Sequence, residues 1–534
     1  MTLEAPPSPR PIPAYAGAIA CICLVAACGV AMAGAFAYLD RSSLWLDELC
    51  TVFFQQGNVY DVFEKTIHFD VHPPLYMELL GLWRSVFGSS PTSLRLPSAI
   101  AAAGAAPALY FAARPVLSRW AALLLAALCV TSIFWFDQAQ QARPYTLALL
   151  GTAFLLGGLV RAVTAANARD ADRAAIWIAG SAFVVSFLHF YAFIMAGLVI
   201  LISIVLLRKY RAAFILFVVG AVIFGLMVAF VLIRKSQNEI TSQGLWFNDS
   251  WRAKSTYTEF IQFIIGSVEG LLVIVLACAA ALFGLLRDKT SPVGAIVASP
   301  LLRTAVISAA IPVAVFLVAV ALVVAGVPTL SSRNLALAAP FIWLSVAAIA
   351  DWGGARLPVR LQAAQQVVSA ILLLLAAGLA IHNRLVQHRE DWRGAAEAIA
   401  AYPGCSHAAV DVISPSRLPV MKGITSHLYG YYAPALSFSV LDANAPDTTA
   451  VLADRTRRIV QGKEPCKVVL WGAHSLQESD VAAIRNGIAA RLGAGGANQI
   501  HVVWFPHWQT GVLARPLYMK DVFLIVADPA RTAG

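Results

Sequence analysis

The sequence predicts a polytopic α-helical membrane protein of about eleven spans, with a small α/β domain at its C-terminal end. Of the 534 residues, 59% are hydrophobic and only 13% are charged, and the mean hydropathy is +0.72. In a soluble domain, about 25% of the residues are charged. Apolar runs of about 20 residues, the length that crosses a bilayer, recur along the first two thirds. Because charged and turn residues become more frequent afterwards, we predict a membrane part over residues 1–381 and an α/β domain over residues 382–534.

Eleven apolar runs are predicted to span the membrane. Each run is bounded by arginines, prolines or aromatic clusters, as span ends commonly are. The proline-rich residues before the first run lack the charged start and the small-residue cleavage site of a processed signal peptide, so we expect the first span to remain as an anchor. In chain order the predicted spans are residues 15–37, 96–113, 120–136, 145–160, 174–188, 191–207, 212–233, 268–286, 304–325, 335–350 and 364–381.

The cations of the short loops predict the orientation, because cytoplasmic loops are enriched in arginine and lysine. If the N-terminus is cytoplasmic, these residues fall on the inner side, and the outer face receives residues 38–95, 137–143, 234–267, Arg333 and everything after residue 382. The predicted inner-loop cations are Arg114, Arg119, Arg161, Arg169, Arg173, Arg208, Lys209, Arg211, Arg287, Lys289, Arg303, Arg356 and Arg360.

The first outer loop, residues 38–95, is predicted to contain interfacial helices. Residues 73–87 are apolar enough to suggest a further span, but they include Glu78 and Arg84 and are too few to cross a hydrocarbon core of about 30 Å. A helix of that length lies more easily along the membrane surface. A span here would also invert every later loop and contradict the charge pattern.

The C-terminal part is predicted to form an α/β domain on the outer face. Cys405 and Cys466 fall in this domain, where an oxidising compartment would permit a disulfide. The spacing of Cys and His does not suggest a zinc site, and the net charge of +10 reflects the inner-loop arginines, so nucleic acid is not a predicted partner. A helix is predicted over residues 480–492, and strands over the apolar runs 408–413, 467–471, 501–505 and 522–526.

Two motifs in the first outer loop are the most informative for function. They are Trp45-Leu46-Asp47-Glu48 and Asp70-Val71-His72-Pro73-Pro74-Leu75-Tyr76. Adjacent carboxylates at a membrane surface are costly to place there unless they do chemistry or bind a ligand. The first outer loop is therefore the predicted active site. The simpler alternatives are that the carboxylates are solvated interface charges or helix caps, that arginines near the membrane extend to its surface, and that Arg95 and Asp137 are structural partners of other loops.

Four further motifs follow in order. They are Arg95-Leu96-Pro97-Ser98, Gln141-Ala142-Arg143-Pro144-Tyr145, Ser332-Arg333-Asn334-Leu335 before Pro340, and Asp391-Trp392-Arg393. Together the six motifs resemble those of the GT-C glycosyltransferases, in particular the branch of the protein O-mannosyltransferases and the lipid A aminoarabinose transferase. The resemblance covers the membrane part, whereas the tail beyond about residue 400 does not resemble the family.

The resemblance implies transfer of a sugar from a polyprenyl-phosphate carrier to an acceptor hydroxyl of lipid A, a protein or another glycan, with inversion at the anomeric carbon. A hydroxyl is a poor nucleophile, so the site needs a carboxylate that accepts its proton, and Asp47 is the candidate base. Glu48 could orient the acceptor, a partner cation or a divalent metal ion. The expected location is a bacterial inner membrane, with the reaction on its periplasmic face.

The lipid phosphate that leaves in such a reaction needs fixed positive charge. Arg143 and Arg333 could each bind it bidentately, and Asp137 and Tyr145 are expected to line the same donor site. His72 stands where the aminoarabinose transferases often have lysine before the Pro-Pro pair, which removes a permanent charge. A histidine could still donate a hydrogen bond to phosphate, or ligate a divalent ion together with Asp70.

Two other classes of function are compatible with many spans. A transporter or flippase of lipid-linked sugars would be expected to place ionisable residues near the bilayer midplane, whereas here these residues gather at one face. A cell-envelope binding module with a membrane anchor would need far fewer than eleven spans. Both alternatives are therefore less well supported than surface chemistry on a lipid-borne substrate.

The outer loop at residues 234–267 is rich in aromatic residues among polar ones. Such a loop could be a lid that closes over the donor and excludes water, or an ordinary interfacial loop anchored by its aromatic side chains. The sequence does not separate these two interpretations. The aromatic residues are Trp246, Phe247, Trp251 and Tyr257.

Overall fold

Apolar helices form the membrane part of the protein. Eight of the described helices are long and apolar enough to cross a membrane, or nine if one bent pair is a single span. The predicted multi-pass helical architecture is therefore confirmed. The predicted lid residues Trp246, Phe247, Trp251 and Tyr257 lie outside the described residues. The computed structural model describes residues 14–70, 72–237, 261, 268–289, 291–325, 330–383, 389–414, 419–443, 445–474, 476–493, 495–510 and 516–527.

The helices of the membrane part are numbered in chain order. They are α1 (Ala14–Phe36), α2 (Leu46–Phe54), α3 (Val59–Phe69), α4 (Leu75–Phe87), α5 (Pro91–Ala113), α6 (Arg119–Val130), α7 (Ile133–Ala139), α8 (Tyr145–Thr164), α9 (Ala168–Leu188), α10 (Phe190–Leu206), α11 (Arg211–Gln237), α12 (Val268–Asp288), α13 (Pro292–Ala298), α14 (Pro300–Val324), α15 (Ser332–Ala336), α16 (Ala339–Gly354) and α17 (Val359–Asn383).

Each of the eleven predicted spans coincides with a helix or helix pair, but three of them do not qualify as single long spans. Helix α10 has 17 residues and α16 has 16, which gives a length of about 25 Å against a hydrocarbon core of about 30 Å. The predicted span 120–136 is divided into α6 and α7, which are bent by 58° relative to each other. The bend occurs where Ser132 starts a new helix, since its Oγ accepts the N–H of Trp135 at 3.2 Å.

Three short helices, α2 to α4, occupy the first outer loop. Helix α4 has 13 residues, which corresponds to about 20 Å, so it is too short to span a bilayer. It contacts α5 and α9. Helix α3 begins at Asn58, whose side chain accepts the N–H groups of Tyr60 and Asp61. This loop is therefore a folded layer on the end of the bundle, and the chain then enters α5.

The described residues of the C-terminal domain form one mixed sheet and four α-helices. The elements are α18 (Trp392–Ala401), β1 (Ala409–Ile413), α19 (Pro419–Gly430), β2 (Ser437–Leu441), α20 (Thr448–Val460), β3 (Val468–Ala473), α21 (Glu478–Leu492), β4 (Ile500–Thr510) and β5 (Pro516–Ala527). Strand β1 is parallel to β2 and β3, and β5 is antiparallel to β3 and β4, in the order β2-β1-β3-β5-β4. The predicted α/β architecture is confirmed, including four of the five described strands.

The sheet has an apolar layer on each face. Alternate residues of β5 point to opposite faces, so Leu524 packs in the cluster of Trp392, whereas Phe523 packs in that of Leu452. The strand that the sequence analysis missed, β2, lies at the edge and has no fully buried residue. Cys405 and Cys466 form the disulfide that the sequence permitted.

The C-terminal domain contacts the first outer loop directly. Arg393 pairs with Asp40 at 2.7 Å, and the Tyr431 hydroxyl donates to the Ser89 carbonyl at 3.1 Å. Helix α19 contacts α2. The candidate site therefore lies between the membrane helices and this domain.

Candidate active site

Helix α2 carries the adjacent carboxylates Asp47 and Glu48 in its first turn. Successive residues of an α-helix point about 100° apart, so the two side chains meet different surroundings. Glu48 is fully buried, and Asp47 retains 20% exposure of its side chain. The sequence placed both residues in the active site, and the structure gives them different partners.

Glu48 forms a bidentate ion pair inside the protein. Its Oε1 accepts from Arg95 Nε at 2.8 Å and its Oε2 from Arg95 Nη2 at 2.6 Å. The backbone N–H of Ala142 also donates to Oε1, at 2.8 Å. Of the predicted roles for Glu48, this geometry matches the one with a partner cation. A role as metal ligand is disfavoured because both oxygens already accept strong hydrogen bonds.

Arg95 uses its other donors to hold the segment before α2. Nη1 donates to the carbonyls of Leu39 and Ser42 at 2.7 and 2.8 Å, and Nη2 donates to that of Ser43 at 2.9 Å. With the two bonds to Glu48, all five donors of the guanidinium are satisfied. The Arg95 motif is therefore a structural support for α2.

Asp47 faces two guanidinium groups. Its Oδ2 lies 3.3 Å from Arg333 Nη1 and 3.9 Å from Arg143 Nη2. Arg143 also donates from Nη1 to the Asp47 carbonyl and to Thr51 Oγ1, both at 3.4 Å. These contacts are long for charge-assisted hydrogen bonds, which are about 2.7–2.9 Å. One carboxylate and two guanidiniums thus converge without a tight internal pair.

The two arginines are held in a strongly polar surrounding. Burial alone would lower the pKa of Arg143, but Asp47 and Asp70 outweigh it and raise that pKa above its ordinary value. The pKa of Arg333 is raised in the same way, by Asp47 and Tyr145 against the effect of burial. Within the described part of the chain, Arg143 Nε has no hydrogen-bond partner. Both guanidiniums therefore stay charged and keep binding capacity for an anion.

Asp70 and His72 form a buried pair next to this group. Asp70 Oδ1 lies 3.0 Å from His72 Nδ1 and accepts the backbone N–H of His72 at 3.3 Å. Burial lowers the pKa of His72 below its ordinary value of 6.5, although Asp70 opposes the shift. The ring centroid of His72 lies 6.2 Å from that of Tyr145 and 5.1 Å from that of His189. His72 is therefore neutral near pH 7, in contrast to a lysine at this position.

His189 was not predicted. It lies at the junction between α9 and α10, where its Nδ1 accepts the N–H of Tyr191 at 3.2 Å. Its ring centroid is 5.3 Å from that of Tyr145. The available signal in the sequence was a single histidine between two apolar runs, which by itself more often indicates a helix cap.

Asp137 pairs with an arginine that follows the last membrane helix. Its Oδ2 accepts from Arg389 Nη2 at 2.6 Å and from Gln141 Nε2 at 2.9 Å. The guanidinium carbons of Arg389 and Arg333 lie 4.7 and 4.9 Å from the centroid of the Trp45 ring. The proximity of two cations to one indole is consistent with cation–π attraction. Asp137 thus contacts Arg389, which lies next to the Trp45 ring, and its predicted place in the donor site stays a prediction.

Two side chains that follow the last membrane helix complete this region and were also missed. Glu390 is buried, and its Oε1 lies 2.6 Å from Nδ1 of His474. Burial would raise the pKa of Glu390, but His474 and Trp392 lower it to about 2. Burial would lower the pKa of His474, but Glu390 outweighs burial and raises that pKa to about 9. The position of Glu390 directly before the Asp391-Trp392-Arg393 motif was the one signal in the sequence.

A protein-ligated metal centre is not assembled from the predicted residues. Across the described ranges, His, Cys, Asp and Glu side chains do not form a group of three or more placed to hold an ion. Glu48 pairs with Arg95, whereas Asp70 and His72 pair with each other. The predicted set of Glu48, Asp70 and His72 is therefore divided between two separate contacts.

Comparison with known proteins supports the resemblance. Residues 71–233 match the family model of dolichyl-phosphate-mannose-protein mannosyltransferase. The crystal structure of ArnT from Cupriavidus metallidurans in the apo state aligns with a TM-score of 0.53 at 13% identity, covering 96% of this chain and 98% of that chain. The structure of the same protein bound to undecaprenyl phosphate aligns with a TM-score of 0.52 at 14% identity and the same coverage, 96% and 98%.

A search of curated protein sequences found no match to the chain. At 13–14% identity the structural likeness concerns the fold. Together with the matched family segment, it shows that this chain has the fold of the GT-C glycosyltransferases, and the family resemblance predicted from the ordered motifs is confirmed.

Proposed function

We propose that this protein transfers a glycosyl group from a polyprenyl-phosphate donor to an acceptor hydroxyl of a lipid, protein or glycan at the outer face of a bacterial inner membrane. The observation that carries the proposal is the convergence of Asp47 with Arg143 and Arg333. A carboxylate can accept the proton of the attacking hydroxyl, and guanidiniums can bind the phosphate that leaves. The same three residues thus provide both requirements of the reaction.

The donor phosphate is assigned to the two arginines. Arg143 is buried and has an unused Nε, whereas Arg333 keeps 33% exposure of its side chain. A planar guanidinium matches two phosphate oxygens at once. The undecaprenyl phosphate in the similarly folded ArnT structure supports a lipid phosphate as the ligand class. Tyr145 and the Asp70–His72 pair line the same region. The one N–H of the neutral His72 ring, on Nδ1, donates to Asp70, so Nε2 is left as an acceptor for a hydroxyl of the sugar or of the acceptor.

The chemical step is a single displacement at the anomeric carbon. The acceptor oxygen forms a bond to that carbon while its proton passes to Asp47. The bond between the anomeric carbon and the phosphate oxygen breaks, and the electron pair stays on the polyprenyl phosphate. Attack from the face opposite to the leaving group inverts the configuration. Arg143 and Arg333 stabilise the charge that develops on the leaving phosphate, which such preorganised donors do best in a site of low dielectric constant.

The test measures release of free polyprenyl phosphate by the purified protein in lipid nanodiscs. A panel of polyprenyl-phosphate sugars is offered with envelope extract as acceptor, to wild type and to Asp47→Asn. The matched control is Asp172→Asn, which removes a carboxylate from a surface ion pair with Arg211. We expect release by wild type and by the control, and none by Asp47→Asn.

Two other results would contradict the proposal. Equal release by Asp47→Asn would remove Asp47 from the role of base. Movement of intact donor lipid across a vesicle membrane, without any release from any donor, would instead support the transporter or flippase alternative. Addition of a chelator tests the metal hypothesis in the same assay, since an unchanged rate would argue against a required divalent ion.

A further inference from the structure

The segment that leads into α2 is held by residues that lie beyond the last membrane helix. The backbone N–H of Leu44 donates to the Tyr432 hydroxyl at 2.6 Å, and that of Leu46 donates to Glu390 Oε2 at 3.3 Å. Ser43 Oγ donates to the backbone carbonyl of Glu390. Residues more than 340 positions away in sequence therefore fix the approach to Asp47.

Glu390 does for α2 what an N-cap side chain normally does. The first N–H groups of a helix lack partners within the helix, and Trp45, at the N-cap position, makes no side-chain cap. Glu390 supplies the missing acceptor to Leu46, the residue directly before Asp47. A carboxylate at this end is also favoured by the helix dipole. Glu390 thus holds the first turn of α2 together with Glu48, whose Oε2 accepts the N–H of Trp45 at 3.4 Å.

Glu390 is itself held by the C-terminal domain. Trp392 Nε1 donates to its Oε2 at 2.7 Å, and His474 Nδ1 lies 2.6 Å from its Oε1. A buried carboxylate is costly unless it is paired and hydrogen-bonded. His474 is placed by an unusual backbone: its φ is +61°, and its N–H donates to the Asp521 carbonyl at 2.8 Å. This geometry makes His474 a fixed partner.

We propose that Glu390 and His474 are positioning residues, by which the C-terminal domain holds the first turn of α2 so that Asp47 faces Arg143 and Arg333. The proposal rests on the proposed role of Asp47. In this proposal the C-terminal domain contributes to the geometry of the catalytic centre. Neither residue needs to touch the substrate for this effect.

The ion pair between Glu390 and His474 is stabilising over a defined pH range. The charged groups that act on His474 are Glu390, Asp47 and Asp521. His507, whose Nε2 lies 3.6 Å from Asp521 Oδ2, also interacts with Glu390, with His474 and with Arg389. The His474 pKa is raised from 6.5 to about 9, so its contribution is complete below 6.5 and is lost as the pH rises through 9. We therefore expect the hold on α2 to weaken in mildly alkaline solution.

The first experiment does not depend on activity. Hydrogen–deuterium exchange of the peptide covering residues 43–49 is measured in nanodiscs for wild type, Glu390→Leu, Glu390→Gln and His474→Asn. Asparagine tolerates a positive φ and can donate to a carboxylate without titrating. The control is Lys422→Ala, which removes an exposed ion pair with Asp442 in the same domain. We expect faster exchange in Glu390→Leu, a smaller change in Glu390→Gln, and none in the control.

The second experiment measures turnover. A misplaced base lowers kcat, by about 10²-fold for a displacement of about 1 Å, so Glu390→Leu should lose kcat while its KM for the donor changes little. Because the His474 pKa is raised to about 9, we expect the kcat of wild type to fall as the pH rises through 9, and we expect no such fall in His474→Asn. A residue with only a structural role would not remove that limb.

Each unfavourable result has one meaning. Unchanged exchange of residues 43–49 in Glu390→Leu would overturn the proposal. It would also be overturned if Glu390→Leu kept full turnover while Asp47→Asn lost it. If both variants kept full turnover, the general-base role of Asp47 would fail first, and the positioning proposal would fail with it as a statement about catalysis.

Discussion

Two adjacent carboxylates, Asp47 and Glu48, have different tasks because a helix turns them to different sides. Glu48 is buried and pairs with Arg95, and Asp47 faces Arg143 and Arg333. The sequence alone presents the two as one acidic pair. Their separation is therefore a property of α2 and of its neighbours.

The buried pair predicts a stability effect. We expect Glu48→Gln to lower the free energy of unfolding by about 3–5 kcal/mol, because it leaves the buried Arg95 without its compensating charge. Thermal unfolding in detergent measures the loss. Asp47→Asn serves as the comparison. The Asp47 carboxylate is 20% exposed and makes only long contacts with the two arginines, so its loss should affect turnover and change the midpoint far less. A Glu48→Gln protein of wild-type stability would contradict the structural role.

A second residue-scale prediction concerns the guanidinium of Arg333. We expect Arg333→Lys to lower the rate of transfer by about 10²-fold, the effect of removing one preorganised donor, although the charge is kept. A lysine lacks the planar fork that can bind two phosphate oxygens. The rate is measured as polyprenyl phosphate release. Full activity would mean that Arg333 is an interface residue that extends to the membrane surface.

At the scale of elements, the disulfide joins α18 and the start of β1 to the segment before β3. Cys405 and Cys466 are separated by 61 positions, and closing a loop of that length stabilises a domain by about 4 kcal/mol in the chain-entropy estimate. We expect Cys405→Ser to lower the urea midpoint of the C-terminal domain, monitored by the fluorescence of its buried tryptophans. Addition of a reductant should lower the midpoint of wild type but leave that of Cys405→Ser unchanged. An equal midpoint in both proteins would contradict this expectation.

The contact between the C-terminal domain and α2 should also depend on acid. The pKa of Glu390 falls to about 2, so its stabilising contribution is present above its ordinary pKa of 4.5 and is lost as the pH falls through 2. Glu390 and His474 together give their full stabilising contribution between about pH 4.5 and pH 6.5. Thermal midpoints measured across pH should lose less on the acid side in Glu390→Gln than in wild type. Identical acid profiles would exclude this contribution.

At the scale of the whole molecule, the loop charges predict the orientation in the membrane. A reporter that is active only in the periplasm, fused after the C-terminal domain, should be active, and the same reporter fused at the loop after α8 should be inactive. The reason is the concentration of arginine in alternate loops. The reverse pattern would place the candidate site in the cytoplasm and contradict the proposed function.

Much of the membrane architecture could be predicted from sequence because a bilayer demands long apolar helices, and these are visible as runs of residues. The bend between α6 and α7 could not, because residues 120–136 form one largely apolar run, within which Ser132 starts the second helix. The lengths of α10 and α16, by contrast, agree with the predicted runs 191–207 and 335–350. In the C-terminal domain, strand β2 was missed because it is only five residues long and none of them is fully buried.

The sequence by itself determined the class of fold, and it predicted a site with Asp47, Arg143 and Arg333 among its residues. Local composition and motif order are sufficient for these. Only the tertiary structure decided that Glu48 pairs with Arg95, and that Glu390, itself paired with His474, accepts a hydrogen bond from the start of α2. The physical reason is distance along the chain: buried charges select their partners in space, and contacts more than 340 residues apart leave no local pattern.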